Sequence, residues 1–352
     1  MNRKTVLLVA IFVALIGGAS ALLWLRPRGG PSAGAGQTLH LYAMSNYFPE
    51  EVLRKFEASH DCEVRYDNFA SNEELLAKLQ AGATGYDVIV PSDYMVTALV
   101  DSELLLDLDK SKIPNAKNLA PDFTKAPFDP GNRYAMPYTW GTSGLAYDSN
   151  HVKDPIDSWA ALFDKRYAGK ISMLDDGREA LGAMLKLQGF SVNTIDQGEL
   201  KKAQAKLMEL KPNVRLFSSD AKQSLESGDI WIAHIYSGDA QQLVRDKPGF
   251  RYVVPKEGAV AWIDTLAIPK TAPNRDLAHA FIDFILEEDT AVILTDALRY
   301  GSPNLKAEGR ITDLSLRAGA LAGVGKGRLE FLKDMGDQTA VWDQLWAQVK
   351  SK

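Results

Sequence analysis

Two short apolar stretches, Leu39-His40-Leu41-Tyr42 and Tyr86-Asp87-Val88-Ile89-Val90, bound the part of the sequence that decides the fold. Between them, residues 49–60 repeat apolar side chains at helical spacing, and residues 63–66 read as a second strand. Ser71-Asn72-Glu73-Glu74 is a capping box that opens another helix. The order strand, helix, strand, helix, strand predicts a parallel sheet covered by helices on both faces.

The same alternation continues after residue 170. The predicted strands cover residues 171–174, 214–217, 230–235, 251–254 and 265–268. The predicted helices cover residues 178–187, 199–210, 221–227, 239–244, 276–288, 290–298 and 330–349. A chain of 352 residues is too long for one ordinary core. We therefore expect two α/β lobes with a ligand site in the cleft between them, at the carboxyl ends of strands.

Composition indicates a soluble globular protein, because 46% of the residues are apolar and 24% are charged. The formal net charge is −5, and four of the basic residues lie in or beside the N-terminal apolar segment. The remaining chain is therefore more acidic than the net charge suggests. An acidic body argues against nucleic acid as a partner and fits a cationic solute, although acidity also serves solubility.

Residues 1–25 have the build of an export signal. A short basic start precedes an apolar run from Val6, and the small residues before Ala21 suit cleavage there. Leu22 to Leu25 lengthen the run enough that an uncleaved membrane anchor is the alternative. Residues 26–37 are rich in Gly, Pro, Ser and Ala and read as a flexible tether. We expect an exported protein, either released by cleavage or tethered to the membrane by this segment.

Polar and aromatic residues recur where predicted strands end. Ser45 and Tyr47 follow the first strand, and Ser92 and Tyr94 follow the strand that ends at Val90. Further along, Asp176 and Glu179 follow the strand at 171–174, Tyr236 and Asp239 follow that at 230–235, and Trp262 and Asp264 follow that at 251–254. Carboxylates bind ammonium groups through charge-assisted hydrogen bonds, and aromatic rings pack the methylenes between them.

Each of these residues also has a purely structural interpretation. Asp176 and Asp239 suit the N-termini of the helices that follow them. Tyr236 and Trp262 suit a core, and Tyr47 and Tyr94 suit a surface. Only the occurrence of the whole set at successive strand ends favours a binding site.

Other chemistry has little support. The five histidines lack ligand spacing, so we predict no metal site, and no nucleotide or nucleophile motif predicts a cofactor or a catalytic residue. Cys62 stands alone between two acids, which favours a structural thiol. Asp176, Glu179 and Asp264 as the acid and base of a hydrolase remain a distant alternative.

Many short blocks of the chain resemble the bacterial spermidine/putrescine-binding proteins of polyamine ABC transporters. They occur in the same order over nearly all the chain after the tether. The blocks are residues 39–56, 71–73, 86–92, 107–112, 127–130, 137–141, 175–179, 255–258, 262–269 and 302–305.

The resemblance implies a two-lobed periplasmic binding protein fold of type II. Each lobe is expected to be a mainly parallel sheet flanked by helices, with the ligand in the interlobe cleft. Lobe 1 would take residues 38–143 and 266–308, and lobe 2 would take residues 144–265 and 309–352.

The resemblance also implies roles for single residues. Ser45, Tyr47, Ser92 and Tyr94 would be contacts from lobe 1. Asp176 and Glu179 would hold a terminal amine, Tyr236 and Trp262 would flank the aliphatic stem, and Asp264 would hold another amine. Tyr300 would close the wall, and Asp239 matches an acid of putrescine-selective relatives.

Three positions depart from the family pattern. Met44 and Tyr236 stand where relatives carry tryptophan, and Leu332 stands where a spermidine-selective relative has glutamine. The chain therefore matches the acidic positions of the family's site better than its aromatic positions. These residues do not indicate which polyamine is bound.

The implied function is capture of putrescine or spermidine and delivery to an inner-membrane ABC permease with its ATPase. We expect a monomer without enzymatic activity or cofactor. One alternative is a sensory binding protein that presents a polyamine to a membrane signalling partner. Another keeps the scaffold and binds an amino acid or a different organic cation.

Overall fold

The first third of the chain forms the predicted parallel sheet. The computed structural model describes residues 36–45, 47–69, 71–317 and 329–351. The elements up to residue 148 are β1 (Thr38–Ala43), α1 (Glu50–His60), β2 (Glu63–Asn68), α2 (Asn72–Gln80), β3 (Val88–Ile89), α3 (Asp93–Asp101), α4 (Pro121–Thr124) and β4 (Ala135–Asp148). β1 pairs in parallel with both β2 and β3. The predicted cap is present, since the Ser71 side chain accepts a hydrogen bond from the Glu74 amide.

The second part repeats this arrangement. Its elements are β5 (Ile171–Met173), α5 (Gly177–Leu187), α6 (Gln197–Leu210), β6 (Val214–Phe217), α7 (Lys222–Glu226), β7 (Ile232–Tyr236), α8 (Ser237–Asp246), β8 (Phe250–Val253), β9 (Ala259–Ala267), α9 (Arg275–Ile285), α10 (Glu288–Leu298), β10 (Leu329–Phe331) and α11 (Thr339–Ser351). β5 pairs in parallel with β6 and β7.

Two long antiparallel strands join the parallel groups. The strand order is β2-β1-β3-β9-β4-β7-β5-β6, while β10 pairs with β9 and β8 pairs with β4. β4 pairs with β9 from Ala135 to Thr142 and with β7 from Ser143 to Tyr147. All fourteen residues of β4 and all nine of β9 are buried. These strands therefore run through the middle of the sheet and connect its two sides.

Sequence patterning did not predict β4. Pro137, Gly141 and Gly144 interrupt it, and such residues weaken a strand assignment. The structure accommodates Pro137 at a register shift between Pro137 and Thr139. Gly141 is needed because a Cβ there would lie 2.5 Å from the Trp262 ring.

Two other predicted assignments are wrong. Trp262, Ile263 and Asp264 do not follow the strand at β8; they lie inside β9, which begins six residues before the predicted strand at 265. The predicted helix over 330–349 is a strand at Leu329–Phe331 and becomes α-helical only at Thr339. Pairing of β10 with Ala259 to Ala261 of β9 explains why Glu330 is extended.

Buried apolar side chains form two large cores. The first core contains residues such as Leu41, Phe56, Leu266 and Phe281, together with Trp262 and Tyr300. The second core contains residues such as Trp159, Met173, Leu185 and Leu207, together with Trp342 of the C-terminal helix. Ile311 and Leu316 pack with Ala291 and Ala307 in a smaller cluster, so the chain up to about residue 317 adjoins α10.

The expected signal or anchor lies outside the described residues. Over the ranges that the structure describes, no helix is both long and apolar enough to cross a membrane. Cys62 is half-buried beside β2, and burial raises the pKa of its thiol, as do Glu57 and Asp61.

Candidate functional site

A cleft of about 470 Å³ collects most of the predicted site residues. Its lining comprises Met44, Tyr47, Asn72, Ser92, Tyr94, Asp176, Glu179, Tyr236, Trp262, Asp264, Tyr300 and Leu332. Nine of the eleven predicted site residues are in this set. Met44 and Leu332, which depart from the family pattern and were not predicted as site residues, also line the cleft.

Asp264 lies on β9 and lines the cleft. Side chains alternate along a strand, so Trp262 and Asp264 share the face that lines the cleft while Ile263 points away. Ser92 Oγ donates to Asp264 Oδ1 at 2.5 Å, and the Tyr47 hydroxyl donates to Oδ2. Both carboxylate oxygens are therefore oriented by hydroxyl groups from other parts of the chain.

Burial raises the pKa of Asp264 to about 6, although the hydrogen bonds from Ser92 and Tyr47 oppose the shift. The side chain is only 4% exposed. A buried carboxylate without a neighbouring cation disfavours its own ionised form. An ammonium group placed beside Asp264 would therefore restore the charged state.

Asn72 supports this part of the site and was not predicted as a site residue. Its Nδ2 donates to Ser92 Oγ at 3.0 Å, and its Oδ1 accepts from the Ser92 amide at 3.0 Å. Ser92 thus accepts from Asn72 and donates to Asp264. Asn72 is the first residue of α2, and the available sequence signal was its place beside the Ser71 cap.

A second acidic group lies at the start of α5. Asp176 is the N-cap, and its Oδ1 accepts from the amides of Arg178 at 2.8 Å and Glu179 at 3.1 Å. Burial, followed by the charges of Glu179 and Glu73, raises the pKa of Asp176 to about 7. Asp176 thus has the capping role that the sequence left open, and it also lines the cleft.

Glu179 follows one turn later and is only 3% exposed. Its Oε2 is buried without a hydrogen-bond partner among the described residues, and it lies 3.7 Å from Nε2 of His234. His234 lies on β7, two residues before Tyr236, and is fully buried.

Aromatic rings form a further part of the lining. The rings of Trp262 and Tyr300 meet edge to face with centroids 5.0 Å apart, and Tyr236 meets Trp262 perpendicularly at 6.1 Å. Tyr47 lies 6.1 Å from Tyr300. Gly238 permits this packing, because a Cβ there would lie 2.3 Å from the Tyr300 ring.

The wall beside Tyr94 contains further charges that sequence reasoning missed. The Tyr94 hydroxyl donates to Glu73 Oε1 at 3.0 Å. The Arg178 guanidinium lies 5.8 Å from the Tyr94 ring and 4.7 Å from the Trp342 ring. Glu73 and Arg178 influence the pKa of Tyr94 in opposite directions, while burial raises it most.

The structure does not bring Ser45 and Asp239 into the lining. Ser45 is exposed in the turn after β1. Asp239 is half-buried in the first turn of α8, where burial and then the charge of Asp220 raise its pKa to about 6. Burial raises the pKa of the cleft residue Tyr300 most, and the charge of Asp239 helps to raise it.

The arrangement suits a linear cation with at least two positive groups. Acids at Asp264 and at the start of α5 line the same cleft as several aromatic rings. Charge-assisted hydrogen bonds would hold the ends, and each ring contributes on the order of 0.5–2 kcal/mol of cation–π attraction. Within the described ranges, no group of three or more His, Cys, Asp or Glu side chains is placed to hold a metal ion.

A family model and two curated proteins each match most of the chain. The model of a family described as bacterial extracellular solute-binding proteins matches residues 51–313. A putrescine/cadaverine-binding protein of Pseudomonas aeruginosa is 36% identical over 340 residues, covering 92% of this chain and 96% of its own. Spermidine/putrescine-binding periplasmic protein 1 of Haemophilus influenzae is 35% identical over 327 residues, covering 91% of both chains.

A solved structure has the same fold. It is a putative spermidine/putrescine ABC transporter protein from Listeria monocytogenes, with a TM-score of 0.83 and 33% sequence identity. The match covers 90% of this chain and 99% of the other.

Proposed function

The chain belongs to the family of bacterial extracellular solute-binding proteins, and from this membership we propose that it captures a polyamine such as putrescine or spermidine and delivers it to an ABC permease. The observation that carries the proposal is one cleft lined by the carboxylates of Asp264, Asp176 and Glu179 together with the rings of Trp262, Tyr236 and Tyr300. The names of the two relatives describe polyamine binding, so they give no support to the sensory alternative.

Each end of the ligand has a defined partner in this proposal. One ammonium group lies against Asp264, whose oxygens Ser92 and Tyr47 orient. A second lies against Asp176 and Glu179, and the methylenes pack on Trp262, Tyr236 and Tyr300. Because Met44 and Leu332 are apolar lining residues, the ends depend on carboxylates more than on a complete aromatic box.

The protein closes around its ligand by a hinge at the two crossing strands. The change of β4 partner between Thr142 and Ser143 supports a lobe boundary near residue 143. The packing of Ile311 and Leu316 on α10 supports placing residues up to about 317 with lobe 1, beyond the predicted boundary at 308. In this proposal, ligand binding relieves repulsion between acids and favours the closed form.

The site of action is outside the cytoplasmic membrane, as the family description states for its members. The finer proposal is a periplasmic location reached through residues 1–25, acting either as a cleaved signal or as an inner-membrane anchor. N-terminal sequencing of the exported protein distinguishes the two, because cleavage leaves a chain that starts near Leu22. We also propose a monomer that neither turns over its ligand nor binds nucleic acid.

Calorimetric titration of the purified full chain with putrescine, cadaverine, spermidine and spermine tests the function. We expect saturable one-to-one binding of at least one of them. Butylamine, which has a similar stem and one ammonium group, is the matched control and should bind far more weakly. Absence of both heat and thermal stabilisation with all four polyamines would contradict the ligand assignment and leave the family unchanged.

A further inference from the structure

A buried histidine stands behind one of the ligand-facing acids. His234 is fully buried on β7, and its ring meets the Trp159 ring edge to face at 4.9 Å. Its strand neighbour on β4 is Leu145. Neither ring nitrogen has a hydrogen-bond partner among the described residues.

Within the described ranges, the neighbouring carboxylate of Glu179 also lacks a hydrogen-bond partner on one of its oxygens. Oε2 of Glu179 is also buried without a hydrogen-bond partner among the described residues. It lies 3.7 Å from His234 Nε2, and no other ion-pair contact to Glu179 occurs within the described part of the chain. Buried polar atoms are nearly always paired, because an unpaired one loses its hydration without compensation. Two adjacent unpaired groups of complementary chemistry therefore require an explanation.

We propose that His234 is a positioning residue for the ligand site, whose Nε2–H donates to Glu179 Oε2 when the cation binds. This inference rests on the proposed function. A hydrogen bond of ordinary length needs an approach of about 0.8 Å, which a small rotation of the Glu179 side chain supplies. The other carboxylate oxygen then stays available to the ligand.

The consequence is a carboxylate that is oriented towards the ligand. Glu179 is 3% exposed, so its Oε2 has little access to water and depends on a donor from the protein. A donor on the inner oxygen stabilises the ionised carboxylate and fixes its plane. His234 thereby raises the affinity for a cation without touching it, while its apolar neighbours Trp159 and Leu145 keep the ring in place.

The test compares His234→Leu with His234→Gln by calorimetry, using the tightest-binding polyamine. Leucine removes the donor, and we expect at least about tenfold weaker binding, because a hydrogen bond to a charged group contributes more than the roughly 1.4 kcal/mol that corresponds to a factor of ten. Glutamine keeps an N–H donor and should recover most of the affinity. Leu207→Val is the matched control, because Leu207 of α6 belongs to the same core and has no part in holding His234, and it should leave the dissociation constant unchanged.

A double-mutant cycle with Glu179→Gln separates positioning from general damage. We expect His234→Leu to have little further effect once Glu179 is neutral. Unchanged or tighter binding by His234→Leu, or full additivity with Glu179→Gln, would overturn the inference. If Glu179→Gln binds the polyamine as tightly as the native protein does, with or without His234→Leu, the placement of the ligand beside Glu179 is wrong.

Nitrogen-15 NMR of histidine-labelled native protein gives a readout that requires neither variant to fold. The inference predicts a His234 ring protonated at Nε2. A ring protonated only at Nδ1 would overturn it, whatever the result with polyamines.

Discussion

At the scale of single residues, the cleft depends on carboxylates that are held in place before any ligand arrives. Asp264 accepts hydrogen bonds on both oxygens from Ser92 and Tyr47, and Asn72 in turn holds Ser92. Groups fixed in advance lose little conformational freedom on binding, which favours affinity. Asp264 supplies the charge of this network, and the other members supply its orientation.

Asp264→Asn is therefore expected to weaken polyamine binding about a hundredfold, and Ser92→Ala tenfold at most. Removing a buried charge partner costs about 2–5 kcal/mol, whereas losing one orienting hydroxyl costs about 1 kcal/mol. Dissociation constants from calorimetry at pH 7.5 check this order. Equal and negligible effects of the two changes would contradict the site assignment.

Binding should also depend on pH through the same acids. The pKa of Asp264 is about 6 and that of Asp176 about 7, against an ordinary value of 3.8. Ligand cations favour the ionised forms, so affinity is expected to fall about tenfold or more between pH 7.5 and pH 5. Calorimetry across this range checks it, and Asp264→Asn should show a shallower dependence.

The stability of the free protein should change in the opposite direction. Where a folded-state pKa is raised, the folded protein holds the proton that the unfolded chain has already released. Raising the pH from about 4 to about 7 therefore removes stability contributed by Asp264 and Asp176. Denaturant unfolding without ligand, measured from pH 4 to pH 7, tests this sign. If the free energy of unfolding depends on pH in the same way in the native protein and in Asp264→Asn, the prediction is contradicted.

Residue types after predicted strands indicated eight of the twelve lining residues, although Trp262 and Asp264 lie inside β9, and Tyr300 came only from the family resemblance. Glu73 and His234 escaped prediction because they contact the lining residues Tyr94 and Glu179 and are not themselves in the lining. Such contacts join residues far apart in sequence, and no local pattern marks them. Asn72 does line the cleft, but it begins a helix and does not follow a strand. Ser45 and Asp239 had the expected residue types, but the backbone carries them away from the cleft.

At the scale of elements, the start of α5 combines a cap with a binding group in one residue. Asp176 caps the helix and lines the cleft, so Asp176→Asn and Asp176→Ala should separate the two roles. Asparagine caps as well as aspartate and cannot ionise, so we expect weaker binding with stability that is equal or higher. Alanine should weaken binding and also lower the free energy of unfolding by about 1 kcal/mol.

Asp196→Ala is the matched control for these variants. Asp196 caps α6 by accepting from the Glu199 amide at 2.9 Å, and it does not line the cleft. It should lose similar stability with no change in dissociation constant. Denaturant unfolding and calorimetry on the three variants give both quantities. Asp176→Asn with native affinity would show that Asp176 is only a cap.

Elements with regular patterns were predicted well, and elements defined by distant pairing were not. β6 matches its predicted range, and α1 and β1 lie within a residue of theirs. β4 carries Pro137 and two glycines, so its extended form comes from its partners β9 and β7. β10 likewise depends on β9, and the apolar spacing of residues 330–349 favoured a helix across both β10 and α11.

At the scale of the molecule, the two-lobed α/β fold expected from the sequence is confirmed by the match to the solved Listeria protein. The lobe boundaries stay a prediction. The cleft takes Trp262 and Tyr300 from the first core, and Glu179 from the helix that carries Leu185 of the second. A ligand there contacts both sides of the molecule.

Hydrogen exchange should therefore slow on both sides when the ligand binds. We expect protection of amides at residues 88–95, which include Ser92, and at residues 174–181, which include Asp176 and Glu179. Residues 222–226 of α7 lie outside the lining and are the internal control. Mass spectrometry with and without saturating polyamine checks it, and protection on one side alone would contradict capture between two lobes.

The complete burial of β4 and β9 also limits how this chain can diverge over generations. A strand with every side chain enclosed accepts few single substitutions, because each change of volume disturbs a packed neighbour. The crossing strands should thus vary slowly among descendants, while turns such as the one at exposed Ser45 vary freely. Two cleft residues, Trp262 and Asp264, lie on β9, so descendants that acquire a new ligand should do so first through residues at strand ends.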